Sequence, residues 1–298
     1  MRAKIKGSIH SLIKEIGDEL EKKIAVITGA NSGFGLAMSL EFAKGDFLVM
    51  ATMRNLQKGK VLLDKAKQLG IDTNITLVEL DITSEDSVKQ LHSSIDNIGR
   101  VDILINNAGY AGAGFAEEVS HQEYQEQLNT NFFGTIRVTQ SILPLMRKQG
   151  YGKIINISSI SGLVGFPGLS PYVSSKYALE GWSEALRLEL LPFSIKVVLI
   201  EPSSFRTNIW TSGKKIASQS QSVSSPYYNY LNKLESYLEK SSKNYGDPTT
   251  VAKKVYTIAQ KEYPKLRYSV GNVKSMILLK ALLPWKWWEK LVLFLLKI

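Results

Sequence analysis

Residues 24–35 read Ile24-Ala25-Val26-Ile27-Thr28-Gly29-Ala30-Asn31-Ser32-Gly33-Phe34-Gly35, a short apolar run that breaks into a glycine-rich turn and then opens a helix. The physical sense of the spacing is specific. Glycines permit the tight turn, and they let backbone N–H groups approach a pyrophosphate at the positive end of the following helix. A glycine triplet alone is a weak sign. Placed between a strand and a helix, at the head of an alternating series, it is a strong one.

The series continues outward from that turn. Apolar strands are expected at 24–28, 47–53, 75–80, 101–105, 153–158 and 195–200, with helices between them at 33–44, 56–69, 84–98, about 122–148 and 172–191. Gly70 stands where a helix C-cap is needed, and Ser84 where an N-cap is. Ile103-Leu104-Ile105 and Val197-Val198-Leu199-Ile200 are apolar without interruption, which suits strands covered on both faces. This rhythm predicts an α/β fold: a doubly wound parallel sheet of about seven strands with helices on both faces.

The rhythm stops after Glu201. Residues 203–246 are rich in Ser, Tyr, Lys and Gln, and so long an excursion is expected to be a lid or a disordered insertion. A helix at 249–260, with Pro248 at its start, and a seventh strand at 266–270 follow. The expected organisation is an amphipathic leader at 1–23, one catalytic domain at 24–273 carrying the insertion, and an amphipathic segment at 274–298. In the leader, Ile5, Ile9, Leu12, Ile13, Ile16 and Leu20 fall at helical spacing.

Composition narrows the chemistry. The 298 residues contain no cysteine, which excludes disulfides, thiolate metal sites and a cysteine nucleophile. The formal net charge of +10 is concentrated at the end, where residues 211–298 hold 15 Lys+Arg against 5 Asp+Glu. A nucleic-acid reader more often carries its basic stripe on the folded domain, so no nucleic-acid partner is expected. The excess lies beside an aromatic, aliphatic segment and suits either a membrane surface or a solvated lysine face. No secretory signal is visible, no uncharged run approaches the ~18 residues of a spanning helix, and a cytoplasmic location is the default.

With the glycine turn in this context, the sequence resembles the classical short-chain dehydrogenase/reductases, whose pattern places three residues between its first two glycines, as Gly29 and Gly33 are placed. The resemblance covers about residues 22–270 and implies a Rossmann fold and a nicotinamide dinucleotide. It implies cofactor contacts at Gly29, Asn31, Ser32, Gly33, Phe34 and Gly35. The second strand ends Ala51-Thr52-Met53-Arg54-Asn55, with an arginine and no acid. An acid there would bind the ribose 2′-hydroxyl of NAD, whereas a base accommodates the 2′-phosphate of NADP. NADP(H) is therefore the expected cofactor, with NAD(H) the alternative. Asp81-Ile82 resembles the family's adenine contact, and Asn106-Asn107-Ala108-Gly109 its NNAG motif, from which Asn107 and Gly109 are carried over.

The reaction centre resembles the same family. Tyr172-Val173-Ser174-Ser175-Lys176 puts tyrosine and lysine at i and i+4 on one helix face, 13 residues beyond Ser159. Carbonyl reduction needs an acid at the developing alkoxide, and free tyrosine, with a pKa of ~10, is a poor base near neutrality. Lys176 is expected to lower that pKa. The resemblance implies that Tyr172 and Lys176 also touch the nicotinamide ribose. It further implies that Ser159 orients the substrate oxygen and that Asn131 holds a water relaying protons from the lysine. Past the sixth strand, Pro202 and Thr207 match a cofactor-contacting segment, but Ser203 stands where the family commonly has glycine. A positive φ at Ser203 would be costly.

The strand end at 51–55 and the segment 202–207 look most like the retinol and 17β-hydroxysteroid dehydrogenase branch, implying an apolar alcohol or ketone as substrate. Phe205, Ile209, Trp210, Tyr227, Tyr228 and Tyr230 are candidates to line its pocket. In the last helix Lys286, Lys290 and Lys297 share one side, while Trp285, Trp288, Val292 and Leu295 occupy the other. Such a segment suits an anionic bilayer surface, a cover over the pocket, or an oligomer contact. The resemblance further implies pairing through the long helices, here 122–148 and 172–191, into a homodimer or homotetramer. Two other functions remain open: a catalytically silent NADP(H)-sensing protein of the same fold, against which Ser159, Tyr172 and Lys176 speak, and an isomerase or dehydratase of the extended type, against which the glycine spacing speaks.

Overall fold

The computed structural model describes residues 22–45, 47–272 and 274–296, so the leader expected at 1–23 falls almost wholly outside the described residues. The chain enters on β1 (Lys23–Ile27), turns through the glycines, and forms α1 (Gly33–Lys44). Then come β2 (Phe47–Met53), α2 (Lys60–Gln68), β3 (Ile75–Glu79), α3 (Glu85–Ile98) and β4 (Ile103–Asn106). The second half holds β5 (Ala111–Ala113), α4 (His121–Leu128), α5 (Gly134–Gln149), β6 (Gly152–Ile157), α6 (Ser170–Leu190) and β7 (Ile195–Pro202). It finishes with β8 (Lys214–Ile216), α7 (Tyr228–Ser242), α8 (Pro248–Ala259), β9 (Arg267–Val270), α9 (Lys274–Leu282) and α10 (Trp285–Leu296).

Seven strands form one parallel sheet in the order β3-β2-β1-β4-β6-β7-β9. Alternate residues of each strand feed two cores. Ala25, Ile27, Val49, Ile105 and Ile155 face Met38 and Phe42 of α1, Leu62 of α2 and Val255 of α8. Val26, Met50, Leu104 and Ile154 face Leu91 of α3, Ile142 of α5 and Leu186 of α6. Strand side chains have period 2, so a parallel strand that is apolar throughout serves both layers at once. From β1 the chain winds outward to β3, then returns to β4 on the other side. That reversal opens a crevice at the carboxyl ends of β1 and β4.

Local chemistry sets the element ends. Ser84 caps α3 by accepting the Ser87 N–H at 3.3 Å. Gly70, with φ +67°, lies one residue beyond the Leu69 cap of α2, the left-handed position that favours glycine. The run at 56–69 begins as a separate 3₁₀ turn, Leu56–Gly59, because the Asn55 side chain accepts the Gln57 N–H at 2.9 Å. The helix expected at 122–148 is interrupted: a π-turn, Asn129–Phe133, separates α4 from α5. The expected insertion at 203–246 is ordered. It contributes β8, which pairs with β5 in a second, two-stranded sheet, and the 15-residue helix α7.

The tail divides its apolar residues between two directions. Trp288 is 8% exposed and packs with Ile160 and Val164, with Met276, Ile277, Leu291 and Val292 around them. Lys280 Nζ donates to the Leu163 carbonyl (2.6 Å) and contacts the Tyr177 hydroxyl (3.0 Å). Leu282 (72%), Trp285 (64%), Trp287 (61%) and Phe294 (78%) remain exposed. The apolar face expected from Trp285, Trp288, Val292 and Leu295 is thus split, with Trp288 and Val292 turned to the domain and Trp285 and Leu295 to the outside. Loop 160–166 offers an apolar seat for part of that face, and helix geometry carries the remainder outward.

Candidate active site

The crevice is a cleft of about 760 Å³ at the carboxyl end of the sheet. Its floor is the glycine turn. Gly29 (φ +67°) and Gly33 (φ +54°) adopt left-handed conformations. A Cβ on Gly29 would stand 2.9 Å from Ala108 Cα, and one on Gly35 would stand 2.7 Å from Asn107 Nδ2 and collide with the Gly29 carbonyl. Gly35 therefore acts behind the wall, while Gly29, Asn31, Ser32, Gly33 and Phe34 line it. Ser32, at the N-cap of α1, makes no side-chain cap and the first turn carries no acid. The free N–H groups and the positive helix end match a pyrophosphate.

Asn107 holds that turn to β1. Its Nδ2 donates to the Thr28 and Gly29 carbonyls (2.9 and 3.2 Å). In return, Thr28 Oγ1 accepts the N–H groups of Asn107 and Ala108 at 2.9 and 3.0 Å. Asn106, fully inside, donates to Thr139 and Asn156 and so joins β4 to β6 and α5. Thr28 was not singled out from sequence; a strand-end hydroxyl opposite two asparagines is the signal that could have found it.

At one end of the cleft, Arg54 and Lys58 approach Asp81, Ile82 and Thr83. Burial pushes the Asp81 carboxyl up, but the Thr83 hydroxyl (2.7 Å) and N–H (2.9 Å), with the Arg54 charge, outweigh it and hold the carboxylate below its ordinary range. Two cations here fit a 2′-phosphate. Lys58 was missed because it lies outside the strand-end motif, one turn into the 3₁₀ segment.

The other end brings together Ser159, Tyr172, Lys176 and Asn131. Ser159 leaves β6 extended (φ −166°), and its Oγ accepts the Ser161 N–H at 3.1 Å. Tyr172 stands in the first turn of α6 with its ring edge against Trp210, centroids 6.0 Å apart. Lys176 Nζ donates to the Ile157 carbonyl (2.8 Å) and lies 5.7 Å from the centre of the Tyr172 ring. Burial pushes the Tyr172 phenol up to about 12, opposed by a hydrogen bond with Ser159. It also pushes the Lys176 ammonium down to about 8, opposed by the Glu180 charge. Desolvation of the nearly enclosed phenol, rather than the charge of Lys176, sets the direction of this shift.

Asn131 sits in the π-turn, whose widened ring turns its amide toward the segment after β4. Its Oδ1 accepts the Tyr110 N–H (3.1 Å), while its Nδ2 donates to the Tyr110 carbonyl (3.0 Å) and to Ser175 Oγ (3.2 Å). Ser175 in turn donates to the Tyr172 carbonyl at 2.7 Å, which ties Asn131 to the tyrosine's own turn. Gly109 lies beneath: a Cβ there would be 2.9 Å from Asn131 Oδ1.

Pro202 and Thr207 complete the cofactor side, with Thr207 Cβ 3.3 Å from where a Gly33 Cβ would be. Ser203 is not in the left-handed region, since Ser194 is the one non-glycine of positive φ among the described residues, so the anticipated strain is absent. Room for the Ser203 hydroxyl comes from Gly271, where a Cβ would collide with it. Of the candidates to line a substrate pocket, Phe205, Ile209 and Trp210 line the cleft. Tyr227 instead stacks on Phe115 (4.3 Å, 11°) and Tyr230 tilts against the same ring at 5.1 Å, while Tyr228 opens α7. Alternation along a helix cannot show which face meets the cleft. No cluster of metal-ligating side chains occurs among the described residues.

Comparison with known proteins gives a consistent result. The family model described as short chain dehydrogenase matches residues 23–216. A Bacillus subtilis (strain 168) protein described as "Uncharacterized oxidoreductase YusZ" is 44% identical over 92% of this chain and 98% of its own. A 3-ketodihydrosphingosine reductase of Bacteroides thetaiotaomicron is 34% identical, covering 88% of this chain and 93% of its own. Retinol dehydrogenase 8 of Homo sapiens is 38% identical over 65% of this chain and 62% of its own. Among solved structures, a short-chain dehydrogenase from Streptomyces avermitilis superposes with a TM-score of 0.77 at 31% identity, covering 88% of this chain and 92% of that one. ElxO with NADP bound does so at 0.71 and 28% identity, covering 86% and 99%.

Proposed function

The chain belongs to the short-chain dehydrogenase family, and from that premise we propose that it transfers a hydride between NADP(H) and an apolar alcohol or ketone, with Tyr172 as general acid and base. One observation carries the reading: Ser159, Tyr172, Lys176 and Asn131 share a single cleft with the glycine turn. The preference for NADP(H) over NAD(H) is supported by Arg54 and Lys58 beside Asp81, and by a structural neighbour that holds NADP.

The nicotinamide cofactor, when bound, supplies or accepts the hydride. Asn31 to Phe34 and the free N–H groups of α1 would hold its pyrophosphate, and Arg54 with Lys58 would hold its 2′-phosphate. In reduction, Tyr172 Oη gives its proton to the substrate oxygen, and burial that pushes the phenol up to about 12 keeps that proton in place until then. Ser159 Oγ donates a second hydrogen bond to the same oxygen and fixes its direction. Lys176, an ammonium below about pH 8, favours negative charge on Tyr172 as the proton leaves. Asn131 holds the Tyr110 backbone against the turn of α6.

An apolar substrate is supported by Phe205, Ile209 and Trp210 along the cleft, and by relatives named for retinol and 3-ketodihydrosphingosine. In this reading residues 24–273 are one catalytic unit, and the segment 203–246 is its lid. The protein is cytoplasmic and pairs through α5 and α6 into a homodimer or homotetramer. Its tail rests on an anionic bilayer. Support for that last contact is the outward set Leu282, Trp285, Trp287 and Phe294 together with Lys286 and Lys290, the latter 5.4 Å from the Trp287 ring centre. No helix among the described residues is long and apolar enough to cross a membrane. Equal soluble fractions of full-length and 1–273 protein after co-sedimentation with phosphatidylserine vesicles would reject the contact.

The decisive experiment follows NADPH absorbance against a panel of ketones, aldehydes and retinoids. Tyr172→Phe is expected to lower kcat by at least about 10²–10⁴-fold and to leave NADPH binding unchanged. Near-normal turnover in that variant rejects the mechanism. NADPH binding without turnover of any panel member by the unaltered chain would favour the silent, sensing alternative.

A further inference from the structure

Behind Lys176 lies a group of charges that the reaction, as described, does not use. Glu180 follows Lys176 by one helical turn on the same buried face of α6. A carboxylate at 4% exposure is costly unless paired. The pairing comes from the far edge of the sheet: Arg267 on β9 donates through Nε to Glu180 Oε2 at 2.9 Å. The same guanidinium meets Glu184 Oε1 at 2.6 Å and Glu201 Oε1, on β7, at 3.4 Å. Glu201 is itself held by the Ser269 hydroxyl at 2.7 Å.

The position of Glu180 is constrained on its other side as well. Gly162, in the turn after Ser159, has no Cβ, and one built there would lie 2.9 Å from Glu180 Cγ, 2.9 Å from Ser158 Oγ and 3.2 Å from the Lys176 carbonyl. Three parts of the reaction centre therefore close on one bare Cα: the end of the Ser159 strand, the Lys176 turn, and Glu180. Glu180 Oε1 and Ser158 Oγ are buried together; burial pushes the Glu180 carboxyl up, and the Ser158 hydroxyl beside it, with Arg267, opposes that push.

We infer that Glu180, clamped by Arg267, is a positioning residue for the reaction centre, keeping the Lys176 side chain charged from one helical turn further along α6, outside the lining of the cleft. This rests on the proposed role of Tyr172. Burial pushes the Lys176 ammonium down to about 8, and Glu180 is the charge that resists it. The other groups packed around the pair are Tyr172 and Glu184 on the same helix, Glu201 on β7 and Arg267 on β9. The sign follows directly. Removing the carboxylate charge disfavours the ammonium, so Lys176 loses its proton at lower pH.

The test is the pH profile of NADPH-dependent reduction from pH 6 to 10 with the full chain, for the unaltered protein, Glu180→Gln and Glu184→Gln. NADPH affinity and thermal melting are read in parallel. An opposite charge one helical turn away moves a pKa by about one unit, so Glu180→Gln is expected to lower the alkaline limb by about that much. A limb moving from about 8 to about 7 reduces activity about fivefold at pH 8 and leaves it within about twofold at pH 6. Glu184→Gln should leave the limb in place. Should Glu180→Gln fail to fold, Glu180→Gln/Arg267→Gln removes both partners of that bond; loss of the Arg267 charge favours the ammonium in part, so the limb should move in the same direction by less. A limb that stays within 0.2 units in the folded variant, whether or not activity falls uniformly, overturns the inference. Tyr172→Phe separates the two failures. If it stays active, the reading of the site is at fault; if it is inactive while the Glu180→Gln limb stands still, only the role of Glu180 is.

Discussion

Trp288→Ala offers a quantitative probe of how the tail is attached. Removing a buried tryptophan costs about 3–5 kcal/mol where the surroundings cannot close. Here the lower end applies, because Trp288 retains 8% exposure and its neighbours include the adaptable Met276. The cluster it anchors is separate from the two cores that flank the sheet. A loss of about 3 kcal/mol therefore falls on docking of the tail and weakens it about 100-fold. Hydrogen exchange read by mass spectrometry should show protection of residues 274–296 and 160–166 falling by that factor, with amides of β1 and β4 unchanged. Because Ile160 adjoins Ser159, KM should rise while NADPH affinity stays constant. The main thermal transition should move by less than about 2 °C. Were the tail part of the main cooperative unit, the same 3 kcal/mol would lower it by about 6–12 °C. A shift of that size, or unaltered exchange at 160–166, refutes the reasoning.

Three further outcomes are expected. Gly35→Ala drives a Cβ into the Gly29 carbonyl and Asn107 Nδ2, threatening two hydrogen bonds and adding overpacking, about 3–5 kcal/mol together; NADPH titration and melting should both register it, and wild-type values in both would be contrary. Arg54→Glu should raise KM for NADPH by about 10-fold or more and leave that for NADH little changed, an effect that shrinks at high salt; equal changes for both cofactors would contradict a 2′-phosphate contact. Lys153, buried on β6, donates to the Ala259 and Lys261 carbonyls at 2.6 Å, yet burial pushes its ammonium down to about 8. Its pKa is depressed on folding, so the unfolded chain binds more protons between pH 8 and its ordinary value of 10.5, and stability attributable to this group rises across that window. Lys153→Met should flatten the rise in Tm between pH 8 and 10.5, leaving the portion due to Lys176; an unchanged slope is the contrary result.

What was legible in the sequence was local or periodic. Gly29, Gly33 and Gly35 announce a turn because few residues tolerate it, and Tyr172 with Lys176 announce a shared face because helices repeat every 3.6 residues. The uninterrupted apolar strands announce a covered parallel sheet. What was not legible depends on distant partners. Nothing around Asn131 signals a π-turn, because the partner that holds its amide, Tyr110, is 21 residues away. The lid helix α7 hides behind polar composition, although Leu231 and Leu234 carry its apolar spacing, with Leu231 buried. Arg267 and Glu180 lie 87 residues apart and meet only once β9 has joined the sheet. The direction of the Tyr172 shift needed the depth of its burial, which a spacing rule does not contain.

The fit between Ser203 and Gly271 makes the two positions dependent on one another. A side chain at 271 and a hydroxyl at 203 exclude one another, and Gly271, at φ +93°, already occupies a conformation that side chains avoid. Serine at 203 is admissible only on a background with glycine at 271. The two positions are therefore coupled: a substitution at 271 is felt at 203 before it is felt anywhere else, and the pair tolerates change only when both side chains are considered together.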